Sequence, residues 1–88
     1  MIIKKKTWPD YFEKILNGEK KFDARLADFD AKPGDILSLE EYDPQTKTYT
    51  GRVINKKITF VGKTKDWTFF PKEDTDKYGY IIMSLDDA

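Results

Sequence analysis

The sequence contains no cysteine and no histidine. Without cysteine the chain can form no disulfide, no thiolate nucleophile and no cysteine-ligated zinc or iron–sulfur site. Without histidine it lacks the usual general base at neutral pH and the commonest metal ligand. Acid–base chemistry would need Asp, Glu, Lys or Tyr, and a metal site would be an oxygen site for magnesium or calcium. We therefore expect no cofactor and no resident metal.

Long apolar runs are absent as well. The uncharged apolar runs are a few residues long, far below the roughly 20 residues that cross a bilayer. Ile2 and Ile3 lead directly into three lysines rather than into a signal-peptide core. We expect a cytoplasmic monomer without membrane contact. A length of 88 residues fits one domain spanning residues 1–88, and 15% aromatic residues indicate a packed core.

Charge of one sign is not in excess, because sixteen basic residues balance sixteen acidic ones. Non-specific DNA binding derives its affinity from phosphate neutralisation, so this balance argues against an extended groove for duplex DNA. The charge is unevenly distributed, with a net +3 in residues 1–25, −4 in residues 26–50 and +1 in residues 51–88. A basic stretch that ends at Arg25 fits a local contact with one or a few nucleotides.

The first recurring pattern predicts a helix over residues 8–17. Thr7 is a candidate N-cap, Pro9 suits the first turn, and Gly18 is a C-terminal stop. Apolar side chains with helical spacing predict one buried stripe, formed by Trp8, Tyr11, Phe12, Ile15 and Leu16. Within this stripe, only Trp8 is expected to reach a binding site, because it stands at the helix start.

After the helix, the spacing of apolar residues changes to two, which is typical of strands. In residues 21–26 the charged residues are predicted to face solvent and the alternate apolar residues to face the core. A type II turn at Lys32–Asp35 has Pro and Gly at its centre. The remaining predicted segments are strand 36–42, loop 43–47, strand 49–61 with a bulge near 55–57, loop 63–78, strand 80–85 and a frayed tail 86–88.

This order of elements, β-α-β-β-β-β, predicts an α+β domain. A helix followed by antiparallel strands favours a small closed or nearly closed β-barrel of five to six mostly antiparallel strands, with the N-terminal helix packed on it. Closure would protect the sheet edges, which an open sheet of this size would expose.

Six strings of residues carry a family resemblance. They stand at Thr7–Phe12, Gly18–Arg25, Pro33–Leu37, Glu40–Pro44, Tyr49–Arg52 and Gly79–Ser84. Together they extend over nearly the whole length of the chain and resemble the small ASCH-like domains of the PUA-like superfamily from bacterial and phage genomes, a branch of unknown function. The resemblance implies a PUA-like barrel whose cleft, between the first helix and the barrel, binds RNA or a nucleoside-sized ligand.

One enzymatic branch of the wider ASCH group, the acetylcytidine amidohydrolases, uses a Lys in the Gly-x-Lys loop, a Thr three residues later and a distant Glu. Carried over by position, the Lys is Lys20, but the Thr position holds Asp23. Asp cannot act as a hydroxyl nucleophile, and the segment that would contain the Glu is shorter here. The resemblance therefore implies a binding site more strongly than that hydrolase.

The residues themselves suggest how such a site would work. The planar guanidinium of Arg25 can bind a phosphate or a base edge, and Asp23 can accept from an exocyclic amine. Lys20 follows a helix C-terminus, so it could equally complete the helix dipole. The candidate ligand contacts are Trp8, Lys20, Lys21, Asp23 and Arg25. Three late aromatic residues, Trp67, Phe69 and Tyr78, would either stack on a base or cap the core.

The favoured function is therefore an RNA- or nucleotide-binding module for single-stranded RNA or a nucleotide-sized ligand. A first alternative is a small hydrolase, an amidohydrolase or ribonuclease acting on modified nucleosides or RNA, with Lys20, Asp23 and Glu41 as catalytic residues. In a regular strand only one of Glu40 and Glu41 faces inward, and that carboxylate with Asp23 could hold magnesium, although no recognised metal motif is present. A second alternative is a protein-interaction domain.

Overall fold

A computed structural model of the protein describes residues 1–66 and 79–88. It contains five strands, one α-helix and one 3₁₀ turn. These are β1 (Ile2–Thr7), α1 (Pro9–Leu16), β2 (Phe22–Leu26), β3 (Ile36–Asp43), β4 (Thr48–Lys63), the 3₁₀ turn Thr64–Asp66 and β5 (Tyr80–Asp87). The predicted order of strands and helix is confirmed. In the part of the chain that the structure describes, no helix is long and apolar enough to span a membrane.

All five strands belong to one curved sheet in the order β1-β3-β4-β5-β2. β1 runs parallel to β3, and the other neighbours are antiparallel. The sheet is a half-barrel in a small α+β fold, which confirms the predicted fold class, strand number and single helix. The predicted closure is not reached within the described ranges, where no ladder joins the edge strands β1 and β2.

The core fills the concave side of the half-barrel beneath α1. Its members are Ile15, Leu37, Leu39, Ile58, Ile81, Met83 and Leu85. α1 packs on β3, and its side chains Phe12 and Ile15 are buried, whereas Trp8, Tyr11 and Leu16 are 56%, 51% and 48% exposed. The predicted fully buried stripe is therefore wrong, because this short helix buries only its central line on the curved sheet.

The two faces of β2 are the reverse of the predicted ones. Asp23 is buried, at 5% exposure, whereas Phe22 and Leu26 are 47% and 48% exposed. Asp23 pairs with Met83 across the ladder, and paired residues in an antiparallel ladder share a face. Since Met83 lies in the core, the charged residues of β2 also face inward. A spacing of two defines two faces but does not show which one is buried.

β4 is irregular at two points. Its pairing with β3 shifts opposite Glu41, where residues 50–52 form a bulge around Gly51 with φ +93°, and its pairing with β5 shifts at Thr59. The predicted bulge near 55–57 is wrong, because Lys56 pairs regularly with both neighbouring strands. A glycine with positive φ suits a bulge better than the polar residues 55–57 do.

The predicted turn at Lys32–Asp35 is confirmed by the Asp35 N–H, which donates to the Lys32 carbonyl at 3.0 Å, and by the φ of +97° at Gly34. The tail is more ordered than predicted, since β5 continues to Asp87, whose carboxylate lies 2.9 Å from Lys56 Nζ. Most of the predicted loop 63–78, with Trp67, Phe69 and Tyr78, lies outside the described residues.

Candidate ligand-binding site

The end of α1 places Lys20 beside β2. The helix stops at Asn17, and the next residue, Gly18, has a φ of +86°, which glycine adopts at low cost. The chain then folds back, so that the Lys20 N–H donates to the Lys14 carbonyl at 2.9 Å. The glycine in the Gly18–Arg25 string therefore directs Lys20 from the helix toward the sheet.

The ammonium of Lys20 is held against β2. Nζ donates to the Phe22 carbonyl at 3.0 Å and to Asp23 Oδ1 at 3.4 Å. It also lies 4.7 Å from the Phe22 ring centre and 5.4 Å from the Tyr11 ring centre, within the range of cation–π attraction. The Lys20 side chain is only 16% exposed. Since the ammonium donates to β2 and not to a carbonyl of α1, completion of the helix dipole does not explain its position.

Arg25 connects the two edge strands of the sheet. Its Nε donates to Asp23 Oδ2 at 2.6 Å, and its Nη2 donates to the Lys6 carbonyl at 2.9 Å and to Thr7 Oγ1 at 3.0 Å. The predicted capping role of Thr7 is therefore wrong. The N-cap is Trp8, which makes no side-chain capping bond, because the Thr7 hydroxyl faces the sheet and accepts from Arg25.

A cavity of about 500 Å³ lies in the gap between β1 and β2. It is lined by Lys6, Thr7, Trp8, Tyr11, Lys20, Phe22, Asp23, Ala24 and Arg25. Its size falls within the roughly 300–1,000 Å³ of small-molecule sites. Its charged lining combines cations with a single carboxylate, Asp23, and its aromatic rings come from the start of α1 and from β2. The opening of the half-barrel therefore has the size and the chemistry of an anion-binding and ring-binding site.

Four of the five predicted ligand contacts line this cavity, namely Trp8, Lys20, Asp23 and Arg25. Lys21 does not. It lies on a second cavity of about 330 Å³ beneath the end of α1, together with Lys56, Asp86 and Asp87. Lys20 lines both of these cavities, whereas Lys21 lines the second and not the first.

Sequence reasoning missed five of the residues that line the cavity, namely Lys6, Thr7, Tyr11, Phe22 and Ala24. The apolar patterns predict Tyr11 in the core stripe and Phe22 and Ala24 on the buried face of their strand, yet all three line the opening. The signal for Tyr11 was its i,i+3 spacing from Trp8, which places the two rings on neighbouring turns of the helix. No signal in the sequence identified β2 as an edge strand, which is what brings Phe22 to the cavity.

Glu41, the third catalytic candidate, belongs to a different network. It is 4% exposed, and its carboxylate accepts from Thr50 Oγ1 at 2.5 Å and from Arg52 Nε and Nη2 at 2.9 Å each. Hydrogen bonds from Arg52 and then from Thr50 hold the pKa of the Glu41 carboxyl below its ordinary value. Arg52 also donates to Glu13 Oε1 at 2.9 Å. This network ties α1 to β3 and β4.

The structure therefore brings together two of the three catalytic candidates. Lys20 and Asp23 are in contact, whereas Glu41 is not among the residues that line the cavity. The expected alternation of Glu40 and Glu41 is observed, with Glu41 inward. Among residues 1–66 and 79–88, no group of three carboxylates is placed to hold a metal ion. The predicted pairing of Asp23 with a glutamate around magnesium has no support in this geometry.

Comparison with known proteins identifies a family. The sequence model described as Domain of unknown function (DUF3850) matches residues 2–85. Because the match covers nearly the whole chain, the protein belongs to this family. No curated protein matches the chain.

Proposed function

We propose that this member of the DUF3850 family is a binding module that holds a nucleotide-sized part of a single-stranded RNA in the opening between β1 and β2. The observation that carries the proposal is the convergence of Lys20 and Arg25 with the rings of Trp8, Tyr11 and Phe22 on one cavity. Phosphates require cations, and unpaired bases stack on aromatic side chains.

The cations are suited to a phosphate. Lys20 and Arg25 share the single carboxylate of Asp23, so that two positive charges face one negative charge. Within the described ranges, Arg25 Nη1 makes no hydrogen bond, and Lys20 Nζ uses two of its three N–H groups. A phosphate oxygen can accept from both side chains without breaking their present contacts, and charge-assisted bonds of this kind are the strong ones.

The rings are suited to a base. Trp8 and Tyr11 lie about half exposed at the start of α1, and Phe22 lies on the other side of the Lys20 ammonium. Stacking of a base on an aromatic side chain contributes about 1–3 kcal/mol. Exposed rings next to cations in a concave site favour a nucleotide over a purely anionic ligand such as free phosphate.

We also propose that the domain is of the ASCH-like, PUA-like type. Support comes from the Gly18–Arg25 string, whose Lys20, Asp23 and Arg25 form one network at the cavity. A hydrolase is the less favoured alternative, because the one carboxylate that lines the cavity, Asp23, already accepts hydrogen bonds from both cations. Glu41 is also engaged elsewhere.

The test is a titration of short single-stranded RNAs, single-stranded DNAs and nucleosides, at low and at physiological salt, by calorimetry. We expect saturable binding of RNA, weakened at least tenfold by Arg25→Ala, because hydrogen bonds to charged groups contribute about 1.5–3 kcal/mol. Lys63→Ala is the control, since Lys63 pairs with Asp30 outside the cavity, and it should leave the affinity unchanged. Thermal unfolding verifies that each variant is folded.

Two results would reject the proposal: no saturable binding across the panel, or binding that Arg25→Ala leaves intact. Mass spectrometry of the same mixtures distinguishes the hydrolase. New products from RNA or acylated nucleosides that disappear with Lys20→Ala would replace the binding role with a catalytic one.

A further inference from the structure

The main chain of β2 presents hydrogen-bonding groups to the cavity. Within the described part of the chain, β2 is an edge strand that pairs with β5 alone. Alternate residues of an antiparallel strand direct their N–H and C=O groups toward the partner. The Leu85 N–H donates to the Lys21 carbonyl at 3.0 Å, and the Ala27 N–H donates to the Gly79 carbonyl at 3.2 Å. The odd-numbered residues therefore face β5, and Phe22, Ala24 and Leu26 direct their N–H and C=O groups into the opening.

Side chains already occupy the neighbouring edge carbonyls. The Phe22 carbonyl accepts from Lys20 Nζ, and on the facing strand the Lys6 carbonyl accepts from Arg25 Nη2. Ala24 lines the cavity, and because the odd-numbered residues make the bonds to β5, its N–H and C=O have no ladder partner on that strand. The Ala24 side chain is a single exposed methyl group, which leaves this main-chain edge accessible to a flat ligand.

We infer that the main chain of Ala24 binds the base edge of the nucleotide, a role that rests on the proposed nucleotide-binding function. Each nucleobase carries a donor and an acceptor side by side in one plane, whereas a sugar phosphate has no such planar edge. A base in the plane of the strand edge would pair with the Ala24 N–H and C=O. The phosphate of the same nucleotide would lie at Lys20 and at Arg25, which follows Ala24 in the sequence. The ligand class is a nucleoside phosphate with a free Watson–Crick edge.

Ala24→Pro tests this role because it replaces the N–H that points into the cavity with a ring methylene, which cannot donate a hydrogen bond. Proline is tolerated in an edge strand where the N–H is not part of the ladder, and the preceding Asp23 is already extended. Leu26→Pro is the matched control. It makes the same change two residues further along the same edge, at a residue that does not line the cavity.

The probes are the four nucleoside 5′-monophosphates, ribose 5-phosphate and 3-methyluridine 5′-monophosphate. We expect the wild type to prefer at least one nucleotide over ribose 5-phosphate by more than about tenfold, because stacking on the rings adds to the net contribution of the hydrogen bond. Ala24→Pro should reduce this preference by about tenfold and leave ribose 5-phosphate binding unchanged, and Leu26→Pro should retain the full preference. If UMP is the preferred nucleotide, its 3-methyl derivative should show the same reduction.

Failure of this inference is distinguishable from failure of the proposed function. A nucleotide preference that Ala24→Pro leaves unchanged, or nucleotide binding that weakens in parallel with ribose 5-phosphate binding, overturns the role of the main chain while the binding function stands. Absence of binding to every probe and to RNA overturns both.

If Ala24→Pro does not fold, amide hydrogen exchange of the wild-type protein tests the same role of the Ala24 main chain. We expect the nucleotide, but not ribose 5-phosphate, to slow exchange of the Ala24 N–H, and no slowing overturns the inference. A synthetic Val-Thr octapeptide tests the other use of an open edge. Slowing at both Ala24 and Leu26 by that peptide, and by no nucleotide, would assign the opening to an added strand instead of a base.

Discussion

At the scale of single residues, the shared carboxylate of Asp23 distinguishes this site from a surface ion pair. Exposed pairs contribute about 0–1 kcal/mol, but the side chains of Asp23, Lys20 and Arg25 are only 7%, 16% and 21% exposed. The carboxylate fixes both cations in advance, so less side-chain entropy is lost when an anion binds. Asp23 is therefore a positioning residue for Lys20 and Arg25.

The environment of Glu41, another buried carboxylate, can be tested by the pH dependence of stability. Its pKa is lowered in the folded protein by Arg52 and Thr50, whereas an unfolded Glu titrates near about 4.3. Between these two values the unfolded state binds more protons, so stability rises with pH. The contribution is complete above about pH 5 and is lost as the pH falls through the lowered pKa.

We expect the unfolding free energy of the wild type, measured by urea denaturation from pH 3 to pH 7, to fall more steeply below pH 5 than that of Glu41→Gln. The Asp35 and Asp87 carboxyls also have lowered pKa values, but both are present in the two proteins and their contributions cancel in the comparison. Equal slopes would show that Glu41 does not have the assigned environment.

At the scale of elements, the sequence predicted the helix and the turn, which depend on local signals, more accurately than it predicted how the strands pair. Pro9, Gly18 and the apolar spacing located α1, and Pro33 and Gly34 located the turn, because each acts through its own backbone. The bulge at residues 50–52 was missed, although its Tyr-Thr-Gly-Arg string was visible. Its partner Glu41 lies on another strand, and register across a hairpin is not a local property.

The candidate site was likewise predicted where its residues are close together in the sequence, and not where it depends on how the strands are arranged. Lys20, Asp23 and Arg25 are close in sequence, and the structure places them together at one cavity. The gap between β1 and β2 depends on which strands form the edges of the sheet, a property of the whole topology. Consequently the sequence did not reveal that Phe22 and Ala24 line the opening or that Glu41 is paired with Arg52.

Two substitutions in the β3–β4 hairpin should change stability in opposite directions. Gly51 has a φ of +93°, with no neighbour among the described residues where a Cβ would stand, and Lys47 has a φ of +58°. Positive φ costs a non-glycine residue roughly 1–2 kcal/mol. We expect Gly51→Ala to lower the unfolding free energy by about that amount and Lys47→Gly to raise it by up to about 1 kcal/mol. Urea denaturation measures both, and a neutral Gly51→Ala would contradict the described bulge.

At the scale of the whole molecule, the half-barrel is spanned by side chains where a closed barrel would have a ladder. Arg25 reaches from β2 to the Lys6 carbonyl of β1, and Lys20 covers the Phe22 carbonyl. The same two cations that cover the open edges thus face the cavity. Because the whole chain is neutral, the proposed binding function implies that attraction to a polyanion is confined to this opening.

The salt dependence of RNA affinity should show that phosphate contacts are limited to the opening between β1 and β2. Each neutralised phosphate of a single strand contributes a slope of about −0.7 to a plot of log affinity against log salt. With three cationic residues lining the cavity, Lys6, Lys20 and Arg25, we expect a slope of about −0.7 to −2.1 for short RNAs, independent of RNA length beyond a few nucleotides. A slope that steepens steadily with length would indicate a long electrostatic groove and contradict a local site.

The most direct measurement is a titration of the ¹⁵N-labelled protein with a short single-stranded RNA, followed by heteronuclear NMR. We expect shifts concentrated at the Trp8 indole N–H and at the amides of Tyr11, Asp23 and Arg25, which line the opening and not the second cavity. Lys56, on the second cavity, should not shift. An unchanged spectrum at saturating RNA, or shifts centred on Lys56 and the end of α1, would contradict the assignment of the opening between β1 and β2 as the binding site.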